Sequence, residues 1–231
     1  MDIGLALTYV TKDPQWVKKV LIGGLVIFVS LLLSIILVGL LGFAMFGGYL
    51  VRTVRNVTNG EPNPLPEWDD MGGDLVRGLK AFVGLLVWLA PVWILSICAS
   101  GLNFADSDGA AAFATILQLC LITPLSILLG VFVLPIIVGR FAEEEQIGAM
   151  LQFGDVIADI RATPIGVFLL YFVLSIITSI LAYVGLIACL IGVIFTIAYA
   201  QYANAHAIGQ IRRRTREGRL GPAMATEHPA F

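Results

Sequence analysis

The sequence predicts an all-α integral membrane protein: a six-span helical bundle of three hairpins with short cytoplasmic interfacial helices, or five spans as the alternative. Three observations predict it. The chain is 58% hydrophobic and 13% charged, with a mean hydropathy of +0.93, where soluble domains carry about 25% charged residues. Its uncharged stretches are long enough to cross a bilayer. Its basic residues can all be placed on one side.

Four stretches lack Lys, Arg, Asp and Glu: Val20 to Val51, Ala81 to Ala105, Gly109 to Gly139 and Ala162 to Ile211, of 32, 25, 31 and 50 residues. About 20 helical residues cross a hydrocarbon core about 30 Å thick. The last run must therefore cross twice, with a turn near Ala182 to Gly185 and helices over Pro164 to Leu181 and Leu186 to Ala207. The second and third runs are single spans joined by the polar link Asn103, Asp106, Ser107, Asp108. Pro124 should kink the third run without ending it, because neighbours can satisfy the freed carbonyl.

The first run is generous for one span and short for two. Charge favours two, because short cytoplasmic loops collect Lys and Arg. With hairpins over residues 14–57, 81–139 and 162–211, all 14 basic residues fall on the cytoplasmic side with both termini. A single first span would send Lys12, Lys18 and Lys19 outward. No cleavable signal peptide is evident, because the first ten residues carry Asp2 and no basic region. Residues 1–211 form one polytopic domain, and 212–231 form a basic, mobile cytoplasmic tail.

Shifting the chain on itself by 85 residues aligns Arg55 with Arg140, Trp68 with Phe153, Asp70 with Asp155 and Asp74 with Asp159. A shift of 150 aligns Pro14 with Pro164 and Tyr49 with Tyr199. Both fit a repeated hairpin, and both also fit coincidence within a biased composition. Short polar-apolar segments precede each hairpin: Ile3 to Val10, Leu65 to Leu79 and Ile147 to Ile160. They suit helices lying flat at the interface, with Trp68 and Phe153 at headgroup depth, or helices packed on the bundle's end.

Trp16-Val17-Lys18-Lys19, Gly48-Tyr49, Gly60-Glu61 and above all Leu65-Pro66-Glu67-Trp68-Asp69-Asp70 resemble a prokaryotic membrane family, domain of unknown function 4013. Turn, proline and aromatic residues at these intervals do not arise from hydrophobic bias. The likeness runs to about Gln210. It implies a polytopic membrane protein of the cell membrane without an assigned activity, and it carries over no functional residues.

Chemistry is sparse. Cys98, Cys120 and Cys189 lie in apolar runs and read as small core residues. The uncharged spans hold no ionisable group at mid-depth, the usual trace of ion-coupled transport. Gln118, Gln201, Asn204 and His206 are the strongest polar groups there and suit interhelical hydrogen bonds. Glu67, Asp69, Asp70 and Asp74 could hold a divalent cation but more simply favour a helix amino terminus. Glu143-Glu144-Glu145 read as a solvated face or helix start.

Arg212, Arg213, Arg214, Arg216 and Arg219 are the candidate contacts to anionic lipid headgroups, or a topological stop signal. Small residues four apart, such as Ser30 with Ser34 and Ala44 with Gly48, let helices approach closely, within the bundle or against a partner subunit. No catalytic, cofactor-binding or metal motif is present, so no enzyme activity or cofactor is expected. Lipids, and other membrane subunits, are the expected partners, with no nucleic acid. The reading is a non-enzymatic structural or accessory subunit organising lipid or a membrane complex. The alternative is a transporter or channel for a small neutral solute, prompted by the interruptions at Gly39 and Pro124.

Overall fold

The computed structural model describes residues 1–36, 38–102, 104, 107–185 and 190–220, and every regular element among them is helical. Helix α1 spans Ile3–Lys12, with the Asp2 carboxylate accepting from the Leu5 N–H at 2.8 Å. Helix α2 spans Trp16–Leu33. A 3-10 turn at Ser34–Ile36 then separates it from α3, Gly39–Asn59. Ser30 to Val38 holds no glycine or proline to mark a turn. It forms beside Gly39, where a Cβ would stand 1.9 Å from the Ser30 carbonyl oxygen.

Helix α3 stops at Gly60, whose φ of +79° lets its N–H return to the Asn56 and Val57 carbonyls. Pro62, Pro64 and Pro66 keep the following link from re-entering a helix. Helix α4, Met71–Leu102, starts on Asp70, whose carboxylate accepts from the Gly73 N–H at 3.0 Å. The expected interfacial segment at Leu65 to Leu79 is thus an irregular link followed by the first turns of α4.

Helix α5 spans Asp108–Glu144. It widens into π turns at Gln118–Ile122 and Leu129–Val133. Each ends two residues before a proline, Pro124 and Pro135, and the wider turn accommodates the ring and the missing N–H. Helices α6 (Ile147–Leu151) and α7 (Phe153–Ala162) follow, then α8 (Ile165–Val184) and α9 (Leu190–Leu220). The expected polar link residues Asn103 and Asp106, the α9 start at Leu186, Cys189 and residues 221–231 lie outside the described residues.

Four helices are long and apolar enough to cross a membrane: Trp16–Leu33, Met71–Leu102, Asp108–Glu144 and Ile165–Val184. The chain is a multi-pass membrane protein. Their outer faces carry Leu25, Trp93, Ile94, Ile97, Ile116 and Leu169, all more than half exposed. Helices α3 and α9 pack together at the centre. Ala198, Ala200, Ala203, Ala205 and Ala207 of α9 are buried. Thr53, Thr58, His206 and Thr215 of these two helices are buried, surrounded by neighbouring helices rather than lipid.

Cys98 and Cys120 are exposed on the outer helices rather than packed in the core. Exposed sulfur costs little in hydrocarbon, so these positions needed only a small apolar side chain.

Candidate functional site

Most ion pairs among the described residues fall into three clusters. In the first, the buried Lys19 ammonium donates to Asp13 Oδ2 at 2.7 Å and the Leu65 carbonyl at 2.9 Å, and meets Glu67 Oε1 at 2.7 Å. These three acceptors match its three N–H donors. Above it Trp68 stacks on Tyr49 with ring centroids 4.0 Å apart, and its indole N–H donates to the Lys19 carbonyl. The Tyr49 hydroxyl donates to the Pro66 carbonyl at 2.7 Å, which pins the proline-rich link to α3. Trp68 therefore points into the bundle rather than out of it. Phe153, its counterpart in the 85-residue shift, is half exposed and leans on Trp88.

In the second cluster Arg52 grips both Asp74 oxygens, at 2.8 and 2.7 Å, and reaches the Glu67 carbonyl and Asp69. Arg77 also holds Asp74, at 2.9 Å, together with Asp70 and Glu145. The acidic series is therefore occupied by guanidinium groups, with Asp70 also starting α4.

Hydrogen bonds from Arg52 and Arg77 hold Asp69 and Asp70, respectively, below the usual carboxylate range. The exposed pairs thus contribute stability above the ordinary aspartate pKa and lose it as pH falls through their lowered values. Asp69 is 71% exposed, so Asp69→Asn is expected to move the melting temperature in detergent by no more than about 2 °C.

In the third cluster the buried Asp159 of α7 accepts on Oδ2 from Arg140 at 2.9 Å and Arg212 at 2.8 Å, while Arg219 approaches Oδ1. Arg212 also forks onto Glu143 at 2.8 and 2.6 Å, and Arg216 meets the same carboxylate. Burial opposes the Arg212 charge, but hydrogen bonding to Glu143 and the field of Asp159 prevail and raise its pKa.

The run Glu143-Glu144-Glu145 is a helix end rather than a helix start or solvated face. Glu145 adopts φ +51° at the α5 terminus and pairs with Arg55 and Arg77. Carboxylates oppose the negative end of a helix dipole, and the surrounding arginines offset this.

Where the sequence suggested a boundary at Arg212, α9 runs unbroken to Leu220. Of the five candidate arginines, Arg212 faces inward and Arg213 donates to the Val57 carbonyl at 2.6 Å. Arg214, Arg216 and Arg219 are partly exposed but each also meets a carboxylate. The packing of Arg212, Arg216 and Arg219 against α5 and α7 was hidden in the sequence, where all five form a plain basic run. A signal for Asp74 and Asp159 existed: the 85-residue shift pairs them, and each is a buried aspartate taking an arginine from the end of the preceding long helix, Arg52 or Arg140.

Residues of α3 and α4 face those of α5, α8 and α9 across an apolar groove of about 710 Å³. Leu40, Phe43 and Phe82 on its rim are exposed, so it opens laterally, and Gln201 and Asn204 add amides to its wall. A separate hollow of about 240 Å³ lies beside Gln118, lined by Ala99, Ser100, Ala114 and Thr115. Gly39 and Pro124 do not line it; Gly39 is sealed against Ser30 and Ser34.

His206 is buried, 4.3 Å from the Tyr9 ring, with Nδ1 3.0 Å from Gln210 Nε2. Gln210 in turn clasps the Asp2 backbone on both sides. His206 thus helps seat α1 on α9.

The profile of a family described as "Protein of unknown function (DUF4013)" matches residues 31–191. The chain belongs to this family. The match includes the Trp68 link, the Asp74 cluster and Asp159, together with much of the groove. No curated protein and no solved structure matches the chain.

Proposed function

We propose that this family member is a non-enzymatic integral protein of the prokaryotic cell membrane that organises lipid or a larger membrane complex. In this reading it has six spans and both termini in the cytoplasm. The lateral apolar groove is the observation that carries it, because it offers a built recess to hydrocarbon. The charged residues support the same reading, since the three clusters are engaged in joining helices and links. In the six-span layout α3 and α9 are the enclosed crossings, and the clusters mark the cytoplasmic end.

Two measurements test this. Purification in several mild detergents, followed by native mass spectrometry, is expected to retain lipid or a membrane subunit at fixed stoichiometry. A lipid-free lone monomer throughout would overturn the reading. For the layout, a cysteine-free chain bearing Thr11→Cys should react with an impermeant maleimide only after permeabilisation, and one bearing Ser107→Cys should react in intact cells. The opposite pattern would remove the six-span arrangement.

Passage of a small neutral solute is the second reading, favoured by the hollow at Gln118 beside a π turn. It requires solute flux in proteoliposomes that Gln118→Leu diminishes.

A further inference from the structure

We infer that a hollow between α1, the link from Gly60 to Leu65 and α9 is a binding site for the oxyanion of a small organic molecule, a carboxylate or a phosphate, held by His206 and Arg213. It is separate from the lateral groove and does not depend on the lipid-organising reading.

The hollow measures about 610 Å³, within the range of small-molecule sites. Each wall is fixed by contacts of its own. Gln210 clasps Asp2, the Tyr9 hydroxyl donates to the Tyr202 carbonyl at 2.9 Å, and the Asn56 amide donates to the Pro64 carbonyl at 3.1 Å. Lys12, Glu61 and Arg214 line it and are exposed, so it is entered from water rather than from lipid.

His206 supplies the deciding group. Gln210 accepts from the Asp2 N–H on Oε1 at 2.6 Å and donates from Nε2 to the Asp2 carbonyl at 3.0 Å, which fixes the orientation of its amide. The same Nε2 lies 3.0 Å from His206 Nδ1. An amide nitrogen only donates, so Nδ1 accepts and the imidazole proton stands on the other ring nitrogen. His206 is 4% exposed, yet this second N–H has no protein partner among the described residues. Nor is it sealed in protein; the open space that His206 borders is this hollow. A donor so placed takes its acceptor from whatever fills that space.

Charge on the walls favours an anionic acceptor. Arg213 follows His206 by seven residues on α9 and so shares its face. It spends one N–H on the Val57 carbonyl, and Lys12 has no partner among the described residues, so both keep cationic donors for a ligand. Most carboxylates of the walls are already engaged: Asp13 by Lys19 and the Gln15 N–H, Asp2 by the Leu5 N–H, Glu217 by Arg214. Glu61 is not, and it leaves room for a hydroxyl or amine elsewhere on the same ligand. Tyr9, Pro62 and Leu65 add apolar surface for its body.

The histidines of the chain are His206 and His228, so isotope-labelled histidine in a His228→Gln background gives one imidazole to follow by nitrogen NMR. The full chain is placed in phosphatidylcholine nanodiscs, with phenyl phosphate and benzoate as probes and benzyl alcohol as the neutral control. The proton is expected on Nε2 before any probe is added. Each anion should then shift that resonance saturably, and Arg213→Gln should weaken the apparent affinity about tenfold. Lys12→Gln should weaken it in the same direction, and this exposed, unpaired position provides the readout should Arg213→Gln fail to fold. A proton on Nδ1, an equal shift by benzyl alcohol, or no shift at about 10 mM of either anion, beyond the millimolar range of weak binding, would overturn the proposal. Phosphatidylglycerol nanodiscs distinguish the sources: a shift before any probe is added supports a lipid headgroup as the oxyanion, and a shift only with probe supports a soluble molecule. The lipid-organising reading is judged separately, by lipid or a membrane subunit retained on purification.

Discussion

Asp159→Ala is expected to lower stability by about 3–5 kcal/mol, the cost of breaking a buried ion pair by removing one partner. The carboxylate is 1% exposed and gathers Arg140, Arg212 and Arg219. Without it three guanidiniums from α5 and α9 face one another, with Glu143 and Asp155 left to compensate. Arg140 would keep its bonds to the Ala149 carbonyl and Gln152, so the loss is repulsion and desolvation rather than collapse of the α5–α6 link. Asp159→Asn keeps an acceptor oxygen and should cost less than alanine. Combining Asp159→Ala with Arg212→Met removes one stranded charge and should recover part of the loss. Thermal unfolding in detergent, followed by tryptophan fluorescence, measures all three. An Asp159→Ala protein within about 1 kcal/mol of the parent would show that water already screens this cluster.

Adjacent glycines on α3 should respond in opposite directions. A Cβ on Gly48 would stand 1.8 Å from the Asp74 carbonyl oxygen of α4, and one on Gly78 would stand 1.6 Å from the Ala44 carbonyl oxygen of α3. Both obstacles are backbone, which yields only if the helices separate. Overpacking of this kind costs about 1–3 kcal/mol, and separation would also pull Asp74 from Arg52. Gly48→Ala is therefore expected to lose about 2–3 kcal/mol even after the roughly 1 kcal/mol that alanine gains in helix preference. Gly47→Ala meets no neighbour and should gain up to about 1 kcal/mol. Paired melting curves of the two single variants decide it, and a shared sign would mean that the α3–α4 approach is looser than described.

Several features were legible in the residues. The 50-residue uncharged run demanded a turn near Ala182 to Gly185, and α8 ends at Val184. The series Gly60-Glu61 through Asp70 carried enough turn and aromatic residues to mark the family, because such a link must hold one irregular path. Other features were not legible. Nothing local distinguishes the glutamates that end α5 from a solvated run, since their partners Arg55, Arg77 and Arg212 are 68 to 90 positions away along the chain. The groove was equally hidden: Gln201 and Asn204 were visible as polar residues in an apolar run, but nothing in that run shows that they line one recess with Gly47 of α3.

By itself the sequence determined that this chain is helical and bound for a bilayer, because hydrophobicity over 20 residues is a sum over neighbours that no distant contact can cancel. The tertiary structure alone decided which crossings are enclosed, which arginines face carboxylates rather than lipid, and where the recess opens. Those outcomes depend on the angle and separation at which helices cross, set by backbone contacts such as Gly48 on Asp74 and Gly78 on Ala44. Such contacts join residues far apart in the chain and leave no periodic trace in it.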